Sequence, residues 1–233
     1  FHQSLGRFAS GFWPALSLVS TETNAYSVFL GFHIATRLLT LWAVWKIVMT
    51  FDADRVQAAL LVGILFFLPT LFRWSALGYD GILTNYLTHT SVATALIMVS
   101  WTLLLRQKYL LCAALLGLVF NINAFVAIWS SLIAGTVMLT SLHVDKRPRI
   151  EMARMTVKMA GWFLLVALPT AIWILNATIN VAPHQSFSFG QYLREFFPHH
   201  AFVDTHWFGA ISMAFAFLIS LGALAQLRGQ LPE

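Results

Sequence analysis

Apolar runs of about 17–25 residues, long enough for a helix to cross a hydrocarbon layer roughly 30 Å thick, recur along most of this sequence with short polar gaps between them. A helix pairs its backbone groups within itself and can therefore sit in lipid, where no water is at hand to bond a free amide. The runs dictate an all-α fold, a polytopic integral membrane helical bundle. Composition agrees: of 233 residues 59% are apolar and 10% charged, and 20 Phe with 9 Trp exceed what one soluble core of this size can hide. No internal repeat, low-complexity tract or sustained heptad pattern points to a solenoid or coiled coil.

About seven membrane segments are expected, near residues 26–49, 57–72, 91–105, 109–120, 122–142, 159–177 and 207–227. Residues 1–25 read as an outer or interfacial segment and 26–233 as a single transmembrane domain. Those first residues lack the basic start, apolar centre and small-residue cleavage site of a signal peptide, and the sequence opens at Phe1, so the chain is expected to be part of a longer protein. Asp52, Asp54 and Arg55 make a hydrated turn after the first span, and residues 73–90, with Asp80 between Tyr79 and Gly81, read as a loop or re-entrant element. The stretch from Tyr109 to Leu142 is too long for one ordinary span and is broken at Asn121-Ile122-Asn123, which reads as a hairpin of two helices, the first short.

Lys and Arg concentrate in loops that stay in the cytoplasm, which orients the chain. With the N-terminus outside, Arg55, Arg106, Lys108, Lys146, Arg147, Arg149, Arg154, Lys158 and Arg228 lie inside, against Arg7, Arg73 and Arg194 outside. The C-terminus is then cytoplasmic, in a cell membrane crossed several times. Both flanks of the 109–142 stretch are basic, so an even number of crossings must separate them, in agreement with the hairpin. The net charge of +5 follows from the loops facing anionic lipid and calls for no nucleic acid. Cys112 is the only cysteine, which excludes an internal disulfide and a cysteine-based zinc site.

This orientation places most histidines outside. His199, His200, Asp204 and His206 crowd into one segment before the last span, where imidazoles and a carboxylate can hold a divalent metal, contact a phosphate, or simply line the membrane interface. No strong metal-ligand spacing is present, so no metal site is assigned and the cofactor stays open. His33 and Arg37 lie four apart on one helix face, and an arginine inside a span points to an interior, a cavity or an anionic partner. Asn121 and Asn123 can bond a head group or sugar, or cap the helices they separate. Arg194 joins the outer polar groups.

The run from Gly78-Tyr79-Asp80-Gly81 through Leu103-Leu104-Leu105-Arg106, then Leu110 to Gly117, then Asn121-Ile122-Asn123-Ala124-Phe125, resembles the middle of bacterial polytopic glycosyltransferases of the GT-C type, in layout over roughly residues 26 to 178. The resemblance implies transfer of a sugar from a polyprenyl-phosphate donor to an acceptor outside the cytoplasmic membrane. It implies Asp80 as general base, with Arg37, Arg194 and His199 or His200 near the phosphate. The alternative is a non-catalytic transmembrane subunit of a larger complex, whose aromatic faces meet other helices. A transporter would call for paired broken helices, of which one candidate is present, and a membrane oxidase would call for converging histidines.

Overall fold

The computed structural model describes residues 10–51, 54–67 and 87–179. They form seven α-helices and one 3-10 turn: α1 (Phe12–Ser17), α2 (Ala25–Val48) continued by the turn Met49–Phe51, α3 (Arg55–Phe67), α4 (His89–Leu105), α5 (Tyr109–Ile122), α6 (Ala124–Val144) and α7 (Arg149–Ile179). The chain divides into two compact units, Phe1–Phe66 with Asn85–Ala182, and Phe67–Thr84 with Pro183–Glu233. Apart from Phe67, the described residues belong to the first.

The helix boundaries have local causes. At the start of α4, Thr88 and Ser91 cap each other reciprocally, the Ser91 N–H donating to Thr88 Oγ1 at 2.9 Å and the Thr88 N–H to Ser91 Oγ at 3.0 Å. α4 and α6 end alike. Gln107 (φ 57°) and Lys146 (φ 54°) turn left-handed, and the next N–H reaches back to the carbonyl of Leu103 and of Leu142 respectively. Both are Schellman closures built without glycine. They reverse the chain in a few residues, so α4 with α5, and α6 with α7, are antiparallel hairpins.

α5 is the centre of the unit, packed against α4, α6 and α7, while α2 packs against α4. Cys112, Ala113, Leu116, Gly117 and Val119 of α5 are buried, and Leu104, Ala134, Met138 and Met159 close over them. Gly117 is required by that packing. A Cβ there would lie 2.6 Å from the Phe163 carbonyl oxygen and 2.9 Å from Val166 Cβ. Ala113, Gly117 and Asn121, each four residues apart, thus form a small-residue stripe against which the α7 backbone rests.

The expected count of about seven membrane segments is corrected. Among the described residues three helices are long and apolar enough to cross a membrane: Ala25–Phe51, Ala124–Val144 and Arg149–Asn176. The segments expected at 91–105 and 109–120 are helices of 17 and 14 residues. At about 1.5 Å per residue they reach about 25 and 21 Å, short of a roughly 30 Å layer. The Thr88 cap and Arg106 bound α4, and Lys108 and the Asn121–Asn123 break bound α5. The segment expected at 57–72 is described as Arg55–Phe67, and 207–227 lies outside the described residues. α7 also begins at Arg149, well before the expected 159, so the basic segment through Lys158 is helix rather than loop.

The long helices keep apolar surface outward: 11%, 28% and 17% of their apolar windows are buried. Leu38, Phe125, Trp129, Leu164 and Leu175 stand exposed. In water such faces would associate; in a bilayer they are the surface a lipid-embedded helix needs. This is the build of a multi-pass membrane protein.

Candidate functional site

The polar break between α5 and α6 gathers one end of the unit. The last carbonyls of a helix have no partner within it, and here Gly11 N–H donates to the Asn121 carbonyl at 2.6 Å while Ser10 Oγ donates to the Ile122 carbonyl at 2.7 Å. Asn123 caps α6, its Oδ1 accepting from the Val126 N–H at 3.3 Å, and its Nδ2 donates to Thr90 Oγ1 on α4 at 3.1 Å. Trp13 stacks near Phe29 of α2 (ring centroids 6.3 Å apart) and near His89 of α4 (6.2 Å). The starts of α1, α2, α4 and α6 and the end of α5 therefore meet at an aromatic and amide-rich end.

Asn121 has a different task. Pro169 sits inside α7, where it supplies no N–H and its ring crowds the carbonyl one turn back. The Thr170 N–H, which an unbroken helix would pair with the Val166 carbonyl, donates to Asn121 Oδ1 at 3.2 Å; Asn121 Nδ2 donates to the Val166 carbonyl at 2.7 Å and to the Gly117 carbonyl at 3.2 Å. One carboxamide bridges the donor and acceptor of a single helical step. Its acceptor and both its donors are engaged within the bundle. The sequence marks Asn121 as a polar break whose amide is costly facing lipid but does not show its partner on α7; Pro169 inside an apolar run is the available signal, since a freed helix backbone must find bonds elsewhere.

His33 and Arg37 sit on α2, one turn apart and both half-buried, on the face that buries Thr36, Thr40 and Ala43. Thr40 Oγ1 donates back to the Thr36 carbonyl at 2.9 Å, which removes its own polarity from that face. Arg37 lies about 18 Å from the start of this membrane-length segment at Ala25 and about 21 Å from its end at Phe51. Among the described residues the one ion pair is Arg147, in the turn before α7, with Glu151 in the first turn of α7, at 3.4 Å, and no carboxylate lies within ion-pair distance of Arg37. Lys46, at the far end of α2, reaches over the Trp42 ring at 6.0 Å.

Asp80, Arg194, His199, His200, Asp204 and His206 lie outside the described residues, as does the divalent-metal alternative built on the last four sites. Among the described residues no three His, Cys, Asp or Glu side chains gather as a metal site. Compared with known protein families, with curated proteins and with solved structures, the chain shows no match.

Proposed function

We propose that this multi-pass membrane protein is a glycosyltransferase that takes its sugar from a polyprenyl-phosphate-linked donor on the outer face of the cytoplasmic membrane. Arg37 carries the reading: a guanidinium about midway along a membrane-length helix, half-buried and with no carboxylate partner among the described residues. A cation at that depth costs at least about 2.5 kcal/mol and marks a pathway or an anionic ligand. A lipid-carried phosphate sits at the head-group layer, and a cavity between helices that opens to that layer would let it meet Arg37 while its tail stays in hydrocarbon. The guanidinium offers the planar pair of N–H groups that a phosphate accepts, and His33 one turn away adds another donor.

The layout resemblance supports Asp80 as base, with Arg194 and His199 or His200 completing the phosphate site. The orientation that fits has the N-terminus outside and the basic turns cytoplasmic. Membranes carrying the full chain, given a radiolabelled polyprenyl-phosphate sugar, test it. The expected result is donor consumption that falls by about 100-fold or more in Arg37→Gln with the protein level unchanged. Wild-type rates in Arg37→Gln, or no consumption by the wild type, would overturn it.

A second reading, a non-catalytic subunit of a larger membrane complex, rests on a separate observation, the breadth of exposed Phe, Trp and Leu on α2, α6 and α7. It predicts stable comigration with other membrane proteins on native gels and an inert Arg37→Gln variant.

A further inference from the structure

We infer that a groove between α5, α6 and α7 holds an acyl chain of an anionic phospholipid, whose phosphate rests against Lys146 and Arg149. The groove encloses about 360 Å³. Leu116, Met138 and Met159 form its buried floor, and Leu132, Gly135 and Phe163 are among its walls. That volume lies at the low end of ligand pockets, roughly 300–1,000 Å³, and suits one slender chain.

The wall chemistry is selective. Two hydroxyls line the groove, Ser131 and Thr156, and each is turned onto its own helix, donating to the Ala127 carbonyl at 2.7 Å and the Met152 carbonyl at 2.9 Å. With these donors taken, the groove offers hydrocarbon contact and no new hydrogen bond. Nothing lies within 4 Å of where a Gly135 Cβ would stand, so the missing side chain leaves open space.

Charge names the end at which a head group sits. On α7, Arg149, Thr156 and Phe163 are seven residues apart and share a face, so the face that lines the groove begins with an exposed arginine. Lys146 lies across the turn, just beyond α6. Arg147 is ion-paired with Glu151, whereas no carboxylate lies within ion-pair distance of Lys146 or Arg149 among the described residues. From Arg149 to Thr156 the helix rises about 10 Å, and from Thr156 to Phe163 about 10 Å more. The first step matches a head-group layer of roughly 5–8 Å plus the glycerol; the second stays within one leaflet of roughly 15 Å. An anionic lipid places its charge and its chain at these two heights, and a zwitterionic one gains nothing from the basic turn.

The inference rests on the membrane reading, and one experiment separates the two. The full chain is tested for retention in membranes through an alkaline carbonate wash, then purified and equilibrated with equimolar phosphatidylglycerol and phosphatidylcholine, and bound lipid is counted by native mass spectrometry. The expected result is retention in the membrane and a preference for phosphatidylglycerol of about 10–30-fold, from two cations near the surface. That preference should disappear in a variant carrying Lys146→Gln with Arg149→Gln, and Gly135→Trp should release the lipid while helicity is kept. A chain that stays in the membrane but binds both lipids equally, or a Gly135→Trp variant with undiminished phosphatidylglycerol, overturns the lipid site alone. Release by carbonate overturns both.

Discussion

At the scale of single residues, Asn121 shows how a membrane bundle accommodates a helix-breaking residue. The carboxamide serves the Thr170 N–H and the Val166 carbonyl, the helical step next to the one that Pro169 removes. Replacing it leaves the Thr170 N–H and the Val166 carbonyl without these partners in a region poor in water, so Asn121→Ala is expected to lower stability by about 2–3 kcal/mol, read by unfolding in detergent. The cost should shrink by about 1 kcal/mol or more in a Pro169→Ala background, where α7 can close its own ladder. Equal costs in both backgrounds would separate Asn121 from the proline. Arg37 is the counterpart, a polar side chain at depth whose charge the described residues leave without a carboxylate.

At the scale of helices, the Schellman closures at Gln107 and Lys146 hold non-glycine residues in left-handed backbone, a geometry that costs an L-residue about 1–2 kcal/mol. Gln107→Gly should therefore raise stability by about 0.5–1 kcal/mol in the same unfolding measurement, part of the relief being lost to the freer unfolded chain. No gain would mean that the Gln107 side chain offsets its own strain. What the sequence made legible also sorts at this scale. The first span, expected at 26–49 and found at Ala25–Phe51, is one long helix, mostly apolar despite His33, Arg37 and Lys46, and the cap at Asn123 was one of two uses foreseen for that residue. The short helices were misjudged as spans because an apolar run reports composition, whereas a crossing needs continuous helix between two polar ends. The start of α7 was missed because Arg149, Arg154 and Lys158 read as loop; all three are good helix formers whose polarity says nothing against a helix leaving the membrane. The Gly117 contact with α7 is long-range, and no local pattern states which helix the Ala113–Gly117–Asn121 stripe will meet.

At the scale of the whole unit, the helices sort their polar ends. Ser10, Thr90, Trp13 and the Asn121–Asn123 break gather at one end. The other joins the basic turns, where Tyr109 Oη donates to Ser141 Oγ at 3.1 Å and so ties the start of α5 to the end of α6. Between them lie apolar helix faces that suit lipid. The most direct test is labelling of single cysteines, placed at Thr23 and Lys146 in a Cys112→Ser background, with a membrane-impermeant maleimide in sealed vesicles of known orientation. Cys112 is buried, and both target positions are exposed. Position 23 labelled from the outer face, with 146 labelled only from the cytoplasmic face, is the predicted result; labelling of both from the same side would contradict a bundle that carries its aromatic and basic ends on opposite sides of a membrane.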